Sequence, residues 1–280
     1  MLILTRPEEV HEWVRALPEN TTRGFVPTMG ALHRGHESLL QMSLRENDAT
    51  ALSIFVNPTQ FNDVSDYNNY PITHSRDLAI AEHHGVDMVY MPSAETMYPE
   101  DFGSYVEPGT ASLQMEGKNR PGHFRGVTTV VAKLFNTVQP HRSYFGKKDF
   151  QQLAVIRQMV RELNFPVDII AAETVREDDG LALSSRNQRL TQTQRDDAKI
   201  IYQALQSCKD LAQSDVKDAE KLVEKFTAVI AQSSMAKLEY ATICDAETLT
   251  ESDNLSGSSV MCVAVWYGDV RLIDNIELSN

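Results

Sequence analysis

Short apolar runs separated by helical stretches set the pattern over the first two thirds of the chain. The runs are Leu2 to Leu4, Gly24 to Val26, Ala51 to Val56, Val86 to Tyr90, Tyr144 to Phe145 and Val167 to Ala171. Each is of strand length and ends in turn-forming or polar residues. Between them Val127, Val130, Val131, Leu134 and Val138 repeat at helical spacing, as do Leu153, Ile156, Val160 and Leu163. Each helix thus carries one apolar stripe to lay against a sheet. Strand and helix in alternation predict an α/β fold with a Rossmann-like parallel sheet.

The texture changes after about residue 175. Thr191 and Gln194 have capping-box spacing and open a helix predicted to reach about Ala212, and a second helix is predicted over Val216 to Gln232. Strands follow at Leu238 to Cys244 and Val260 to Tyr267, separated by a polar loop rich in Ser, Asp and Asn. The expected division is a Rossmann-like domain over 1–175 and a smaller C-terminal α+β domain over 176–280. There is no internal repeat or low-complexity tract.

Open parallel sheets bind ligands at the carboxyl ends of their strands. Three informative segments fall there: Pro27 to His36, Asn57 to Phe61, and Gly146 to Asp149. The first places His33 and His36 three residues apart behind a glycine turn, at the start of a helix. A helix N-terminus offers unpaired amides and partial positive charge, which attract anions, and residues i and i+3 share a face. Gly30 and Gly35 allow close backbone approach. Neither a G-x-x-x-x-G-K-[ST] loop nor a G-x-G-x-x-G turn is present. Taken alone, H-x-x-H is more often structural than functional, and zinc would need further ligands.

The net charge is -13, from 39 acidic and 26 basic residues, which works against partnership with nucleic acid or an anionic membrane. On such a background Lys147-Lys148, Arg120 with Arg125, and Arg186 with Arg189 stand out as local positive sites for a small phosphorylated ligand. The three cysteines, Cys208, Cys244 and Cys262, are odd in number and widely spaced, as expected of buried thiols in a reducing compartment. The apolar run at the N-terminus is short for a signal peptide and no stretch has the length of a membrane span, so a cytoplasmic protein is expected.

Five segments occur in order: T-M-G-A-L-H-x-G-H at 28–36, N-P-T-Q-F at 57–61, R-P-G-H-F-R-G-V at 120–127, F-G-K-K-D-F-Q-Q-L at 145–153 and D-G-L-A-L-S-S-R-N at 179–187. Together they closely resemble the pantothenate synthetase (pantoate–β-alanine ligase) family, within the HxGH nucleotidyltransferase-like superfamily. The resemblance implies a homodimer that joins pantoate to β-alanine with ATP and Mg2+ through pantoyl adenylate, with a C-terminal domain covering the site. It assigns ATP to Met29, Gly30, Ala31, Leu32, His33, Arg34, Gly35, His36, Gly146, Lys147, Lys148, Asp149, Val175, Leu183, Ser184, Ser185 and Arg186. His33, His36 and Lys148 take the catalytic positions, with His36 at the family's proton donor. Gln60 and Gln152 match the pantoate-binding glutamines, with Asn57 and Arg120 as further substrate candidates.

The residue chemistry suits these roles. A lysine is a compact charge and an arginine a bidentate fork for phosphate oxygens, while a neutral amide reads hydroxyls without pairing with the carboxylate that must react. The charge state of His36 stays open, because phosphates favour the imidazolium and a helix N-terminus disfavours it. Asp77 and Asp149 are metal candidates, since Mg2+ takes one or two carboxylates with phosphates and waters; Asp149 equally suits a helix cap, as Ser184-Ser185 does. Two positions depart from the family pattern: Lys147, where many members have glutamate, and Ile72, where arginine is common. A nucleotidyltransferase of the same superfamily and a non-catalytic nucleotide sensor are the competing readings. The first lacks its I-S-S-T-x-x-R motif here, and the second has no use for substrate groups beside the α-phosphate.

Overall fold

The computed structural model describes residues 1–278. It divides into two compact units, Met1–Lys147 with Val155–Glu173, and Lys148–Ala154 with Thr174–Asn280.

The first unit holds six strands: β1 Leu2–Leu4, β2 Arg23–Thr28, β3 Ala49–Ile54, β4 Met88–Tyr90, β5 Arg142–Gly146 and β6 Asp168–Ala172. They lie in the order β1-β4-β3-β2-β5-β6, and every pairing is parallel. All six coincide with runs expected from the sequence. The sheet is covered on both faces, so its central strands are buried on both sides rather than on alternate residues; Phe25, Val26, Ala51, Leu52 and Val89 are fully buried, as are Thr50 and Ser53. Helix Arg34–Glu46 packs through Leu39 and Leu40, and helix His74–His84 through Ala81, on a core with Val26, Leu52, Ile54 and Val89. Strand order reverses between β2 and β5, with β3, β4 and β1 on one side and β6 on the other. The carboxyl ends of β2 and β5 therefore flank the switch point, where such sheets bind ligands.

Helix His123–Val138 is buried along most of its length. A Cβ on Gly126 would lie 2.4 Å from the Thr59 carbonyl oxygen, so only glycine lets this helix meet the Asn57–Gln60 segment backbone to backbone.

The second unit contains an antiparallel sheet, β7 Ala236–Asp245, β8 Ser259–Tyr267 and β9 Val270–Glu277, in that order. Helices Ile200–Gln213 and Ala219–Ile230 bury Ile201, Leu205, Cys208, Leu222 and Phe226 in one core with Met261, Val263, Val265, Leu272 and Ile276. The Thr191 and Gln194 capping box forms as expected, but the helix it opens ends at Ala198 and a second begins at Ile200. Asp197, at that break, accepts hydrogen bonds from Ser233 Oγ and Tyr267 Oη, which ties the first helix to the sheet. The next helix spans Ala219–Ile230, shorter than Val216 to Gln232, because Asp218 caps it by accepting from Lys221 N–H at 3.3 Å. Strand β9 was not foreseen: Asp274 and Asn275 sit mid-strand yet are only 4% and 7% exposed.

Candidate active site

β2 ends at Thr28, whose hydroxyl donates to the Ser53 carbonyl at 2.7 Å and accepts the Gly30 N–H at 3.1 Å. Gly30 (φ 84°) and Ala31 (φ 51°) follow in the left-handed region. Their geometry aims the Ala31 and Leu32 N–H groups at the two oxygens of Asp77, at 2.9 and 2.8 Å, and the Thr73 hydroxyl lies 3.0 and 3.1 Å from the same oxygens. These amides are spent on an internal carboxylate, and Asp77, expected as a metal candidate, is 0% exposed with both oxygens engaged by the chain itself, which does not fit a metal ligand.

The two histidines form a reciprocal helix cap. His33 is the N-cap of helix Arg34–Glu46, and its Nδ1 accepts the Gly35 N–H at 3.1 Å. His36, in the first turn, turns its Nδ1 back to the His33 N–H at 3.3 Å. The ring centroids are 4.0 Å apart. The His33 carbonyl takes the His36 and Glu37 N–H groups at 2.7 and 3.0 Å. The first-turn amides of Gly35 and His36 are therefore satisfied inside the helix end, contrary to the expectation of a bare N–H cradle. A ring nitrogen that accepts carries no proton, so this hydrogen bonding makes Nε2–H the donor edge of each imidazole. Arg34 is exposed beside them.

Asn57 is 1% exposed and fully used. Its Nδ2 donates to Gln60 Oε1 at 3.0 Å and to the Gly126 carbonyl at 3.1 Å, while its Oδ1 accepts from Thr59 and, at 2.8 Å, from Tyr98 Oη. Burial raises the Tyr98 pKa, which keeps the phenol a donor. Asn57 is thus a scaffold for Gln60 rather than a group facing substrate. Gln60 Nε2 lies 2.9 Å from Met29 Sδ, so the second motif touches the first. The Gln60 carbonyl accepts from Arg120 at 3.2 Å and from His123 Nδ1 at 2.7 Å. His123 Nε2, left unprotonated, accepts from Arg120 at 3.3 Å. Arg120 therefore grips the backbone of the N-P-T-Q turn, and the R-P-G-H segment positions that turn.

At the end of β5, Gly146 leads into Lys147, whose Nζ pairs with Glu173 at 2.7 Å. The charge introduced by this departure from the family pattern is matched locally. Ile72, the other departure, is 68% exposed.

In the second unit, Lys148 Nζ is 3.7 Å from Asp149 Oδ1, and the Lys148 carbonyl accepts from Asn275 Nδ2 at 2.9 Å. Asp149 closes a 3-10 turn, Lys147–Asp149, that runs into helix Phe150–Glu162; Gln152 is half-buried in its first turn. Val175 and Leu183 are joined through the Leu183 N–H to the Val175 carbonyl at 3.0 Å, closing a hairpin over 175–183. Arg176 braces it: the guanidinium is bidentate to Asp274 at 2.6 and 2.9 Å, donates to the Gly180 carbonyl at 3.0 Å and lies 4.2 Å from the Tyr202 ring centroid. Arg195 pairs with Asp179 at 2.6 Å, and its hydrogen bonds lower the Asp179 pKa. Ser184 caps the 3-10 helix Ser185–Arg189 by accepting the Arg186 N–H at 3.2 Å. The structural reading of Ser184 as a cap holds.

The first unit thus gathers Met29, His33, His36, Gln60 and Arg120 on a connected framework, and the second gathers Lys148 with Asp149 and, on one hairpin and the turn after it, Val175 and Leu183 to Arg186. Sequence reasoning passed over Thr73, Tyr98, Arg176 and Asp274. These carry no motif signal, because each acts through another residue. Among the described residues no three His, Cys, Asp or Glu side chains are disposed to hold a metal ion, and no helix is long and apolar enough to cross a membrane.

The profile of the pantoate-beta-alanine ligase family matches residues 2–277. A pantothenate synthetase from Pseudothermotoga lettingae is 45% identical over 278 residues, covering 99% of each chain. The crystal structure of pantothenate synthetase from Thermus thermophilus superimposes with a TM-score of 0.94 at 41% identity over 100% of both chains. That of the pantoate-beta-alanine ligase from Francisella tularensis, complexed with beta-gamma ATP and β-alanine, gives 0.82 at 38% identity, covering 99% of this chain and 98% of that one. With the whole length matched, the chain belongs to the pantoate–β-alanine ligase family, the ATP-dependent ligases that form pantothenate.

Proposed function

We propose that this ligase condenses (R)-pantoate with β-alanine through pantoyl adenylate, and that the His33–His36 pair supplies donors to the phosphates of ATP. One observation carries the assignment. Two imidazoles with their Nδ1 atoms engaged stand at the carboxyl end of β2, beside the switch point, on the same loop that touches Gln60.

In the first step a pantoate carboxylate oxygen attacks the α-phosphorus, the bond to the bridging oxygen breaks, and pyrophosphate leaves. No side chain need form a covalent bond, so the protein works by positioning and by stabilising charge. Neutral Nε2–H groups donate to oxygens that gain charge without first surrendering a proton. Gln60 holds pantoate through an amide that does not pair with its carboxylate, and Gln152 is assigned the same substrate by motif. In the second step the β-alanine amine attacks the activated carbonyl carbon, AMP departs with the bonding electrons, and the amine loses a proton.

Lys148, Ser184, Ser185 and Arg186, with Gly146, Lys147, Val175 and Leu183, are assigned to ATP by motif. Mg2+ fits the residues present only as a cation carried on the phosphates with Asp149 as its protein carboxylate, since Asp77 is engaged internally; when bound it neutralises phosphate charge. The proposal extends to a homodimer, a cytoplasmic location, and a division of labour in which 1–175 binds ATP and pantoate while 176–280 acts as a lid against hydrolysis of the adenylate.

Pyrophosphate exchange into ATP tests the whole reading. Exchange is expected only with pantoate present, followed by AMP release on adding β-alanine. Exchange that ignores pantoate would overturn it.

A further inference from the structure

We infer that Asp77 is a positioning residue for the ligase reaction: its buried carboxylate holds the Gly30–His33 backbone so that the two histidines and Gln60 keep one arrangement. The inference rests on the proposed phosphate role of His33 and His36 and assigns the group that sets their place.

Asp77 spends one oxygen on each of two consecutive amides, Ala31 and Leu32, at 2.9 and 2.8 Å. Those amides converge only because Gly30 and Ala31 are both left-handed, a conformation that alanine keeps only where its surroundings hold it. On one side of this turn Met29 touches Gln60. On the other, Leu32 is 1% exposed in the core with Leu40, Ile54 and Ala81, and His33 follows directly as the helix cap. The helix that carries Asp77 meets the histidine helix a second time. His84, its last residue, places Nε2 2.9 Å from Glu37 Oε2, and Glu37 is the residue after His36. Helix His74–His84 therefore braces the histidine segment before and after the pair. Thr73, which caps that helix, fixes the carboxylate itself through its hydroxyl. A shift of the turn would move both imidazoles and, through Met29, the amide of Gln60, and displacements on the order of 1 Å at a reacting centre cost about a hundredfold in rate.

Asp77→Asn preserves volume but sets an NH2 donor against an amide N–H. In this variant pantoate-dependent pyrophosphate exchange at saturating substrate is expected to fall on the order of tenfold or more. The nitrogen NMR signals of the His33 and His36 rings are expected to leave the Nε2–H pattern, with the Mg2+ dependence unchanged. Exchange within twofold of the unsubstituted enzyme, or a loss with the ring signals unmoved, overturns the inference. A loss repaired by raising Mg2+ overturns it in favour of a metal ligand. Should Asp77→Asn fail to fold, Thr73→Val leaves both amide bonds while freeing the carboxylate to rotate. A drop of about threefold in exchange with the same ring-signal change supports the inference, and an unchanged enzyme overturns it. If His36→Ala abolishes exchange and Asp77→Asn does not, positioning alone fails; if His36→Ala is indifferent, the phosphate reading fails first.

Discussion

His33 and His36 cap one another: the Nδ1 of His33 accepts the Gly35 N–H at 3.1 Å, and the Nδ1 of His36 accepts the N–H of His33 at 3.3 Å. Capping and the proposed phosphate contacts would use opposite nitrogens of the same rings, so the two are separable by substitution. Asparagine is a good N-cap, so His33→Asn keeps an acceptor for Gly35 while removing the Nε2–H donor. Its stability is expected to stay within about 0.5 kcal/mol of the unsubstituted protein, while turnover falls on the order of a hundredfold. Denaturant unfolding and steady-state AMP release check the two arms. A near-normal turnover would leave His33 a cap and nothing more.

The strands were readable because the sheet is buried on both faces, which leaves mostly apolar runs such as Ala51 to Val56, broken only by Ser53. β9 escaped because Asp274 and Asn275 break its apolar pattern, and they are tolerated only because Arg176, ninety-eight residues earlier, and Lys148 satisfy them. The same limit applies at the site. The H-x-x-H and N-P-T-Q segments were visible as motifs, but that Asp77 would take the amides of Ala31 and Leu32 depends on a contact across forty-five residues. Local spacing also predicted amides open to phosphate at the helix start, and it could not foresee that the histidines themselves would cap them.

Gly126 offers a test of the pantoate side alone. The Cβ of Gly126→Ala would stand 2.4 Å from the Thr59 carbonyl oxygen and 2.8 Å from Gln60 N, both backbone atoms that cannot swing aside. The substitution is expected to cost about 1–3 kcal/mol of stability and to push the Asn57–Gln60 turn outward. The KM for pantoate should then rise well above that for ATP, in parallel initial-rate measurements. An equal change in both constants would break the link between Gly126 and Gln60.

Buried phenols set an alkaline limit. Burial raises the pKa of Tyr90 and of Tyr144 to about 12, with the nearby acid Glu46 adding to the effect at Tyr144; Tyr267 is raised in the same direction. The unfolded value is about 10, so the folded state binds these protons more tightly. Their stabilising effect is complete below about pH 10 and is lost as pH climbs from there toward 12. Tyrosinate ultraviolet absorbance from these residues should therefore emerge together with loss of circular dichroism. Release of all tyrosine protons with the dichroism intact would contradict the assignment.

Arg176 and Asp274 should couple the hairpin to the sheet. Their guanidinium–carboxylate pair is bidentate, with side chains 18% and 3% exposed. Removing one member strands the other charge, which typically costs about 3–5 kcal/mol, whereas replacing both with apolar groups is often neutral. Arg176→Met is expected to fall at the upper end, because it leaves the more buried Asp274 unpaired and also removes the donor to the Gly180 carbonyl. Arg176→Met with Asp274→Leu should recover most of that loss in denaturant unfolding. Function should not recover in step: without the guanidinium the 175–183 hairpin loses its brace, so the KM for ATP stays elevated in the double variant. A double variant restored in both stability and ATP affinity would show that the pair serves the fold of this unit alone.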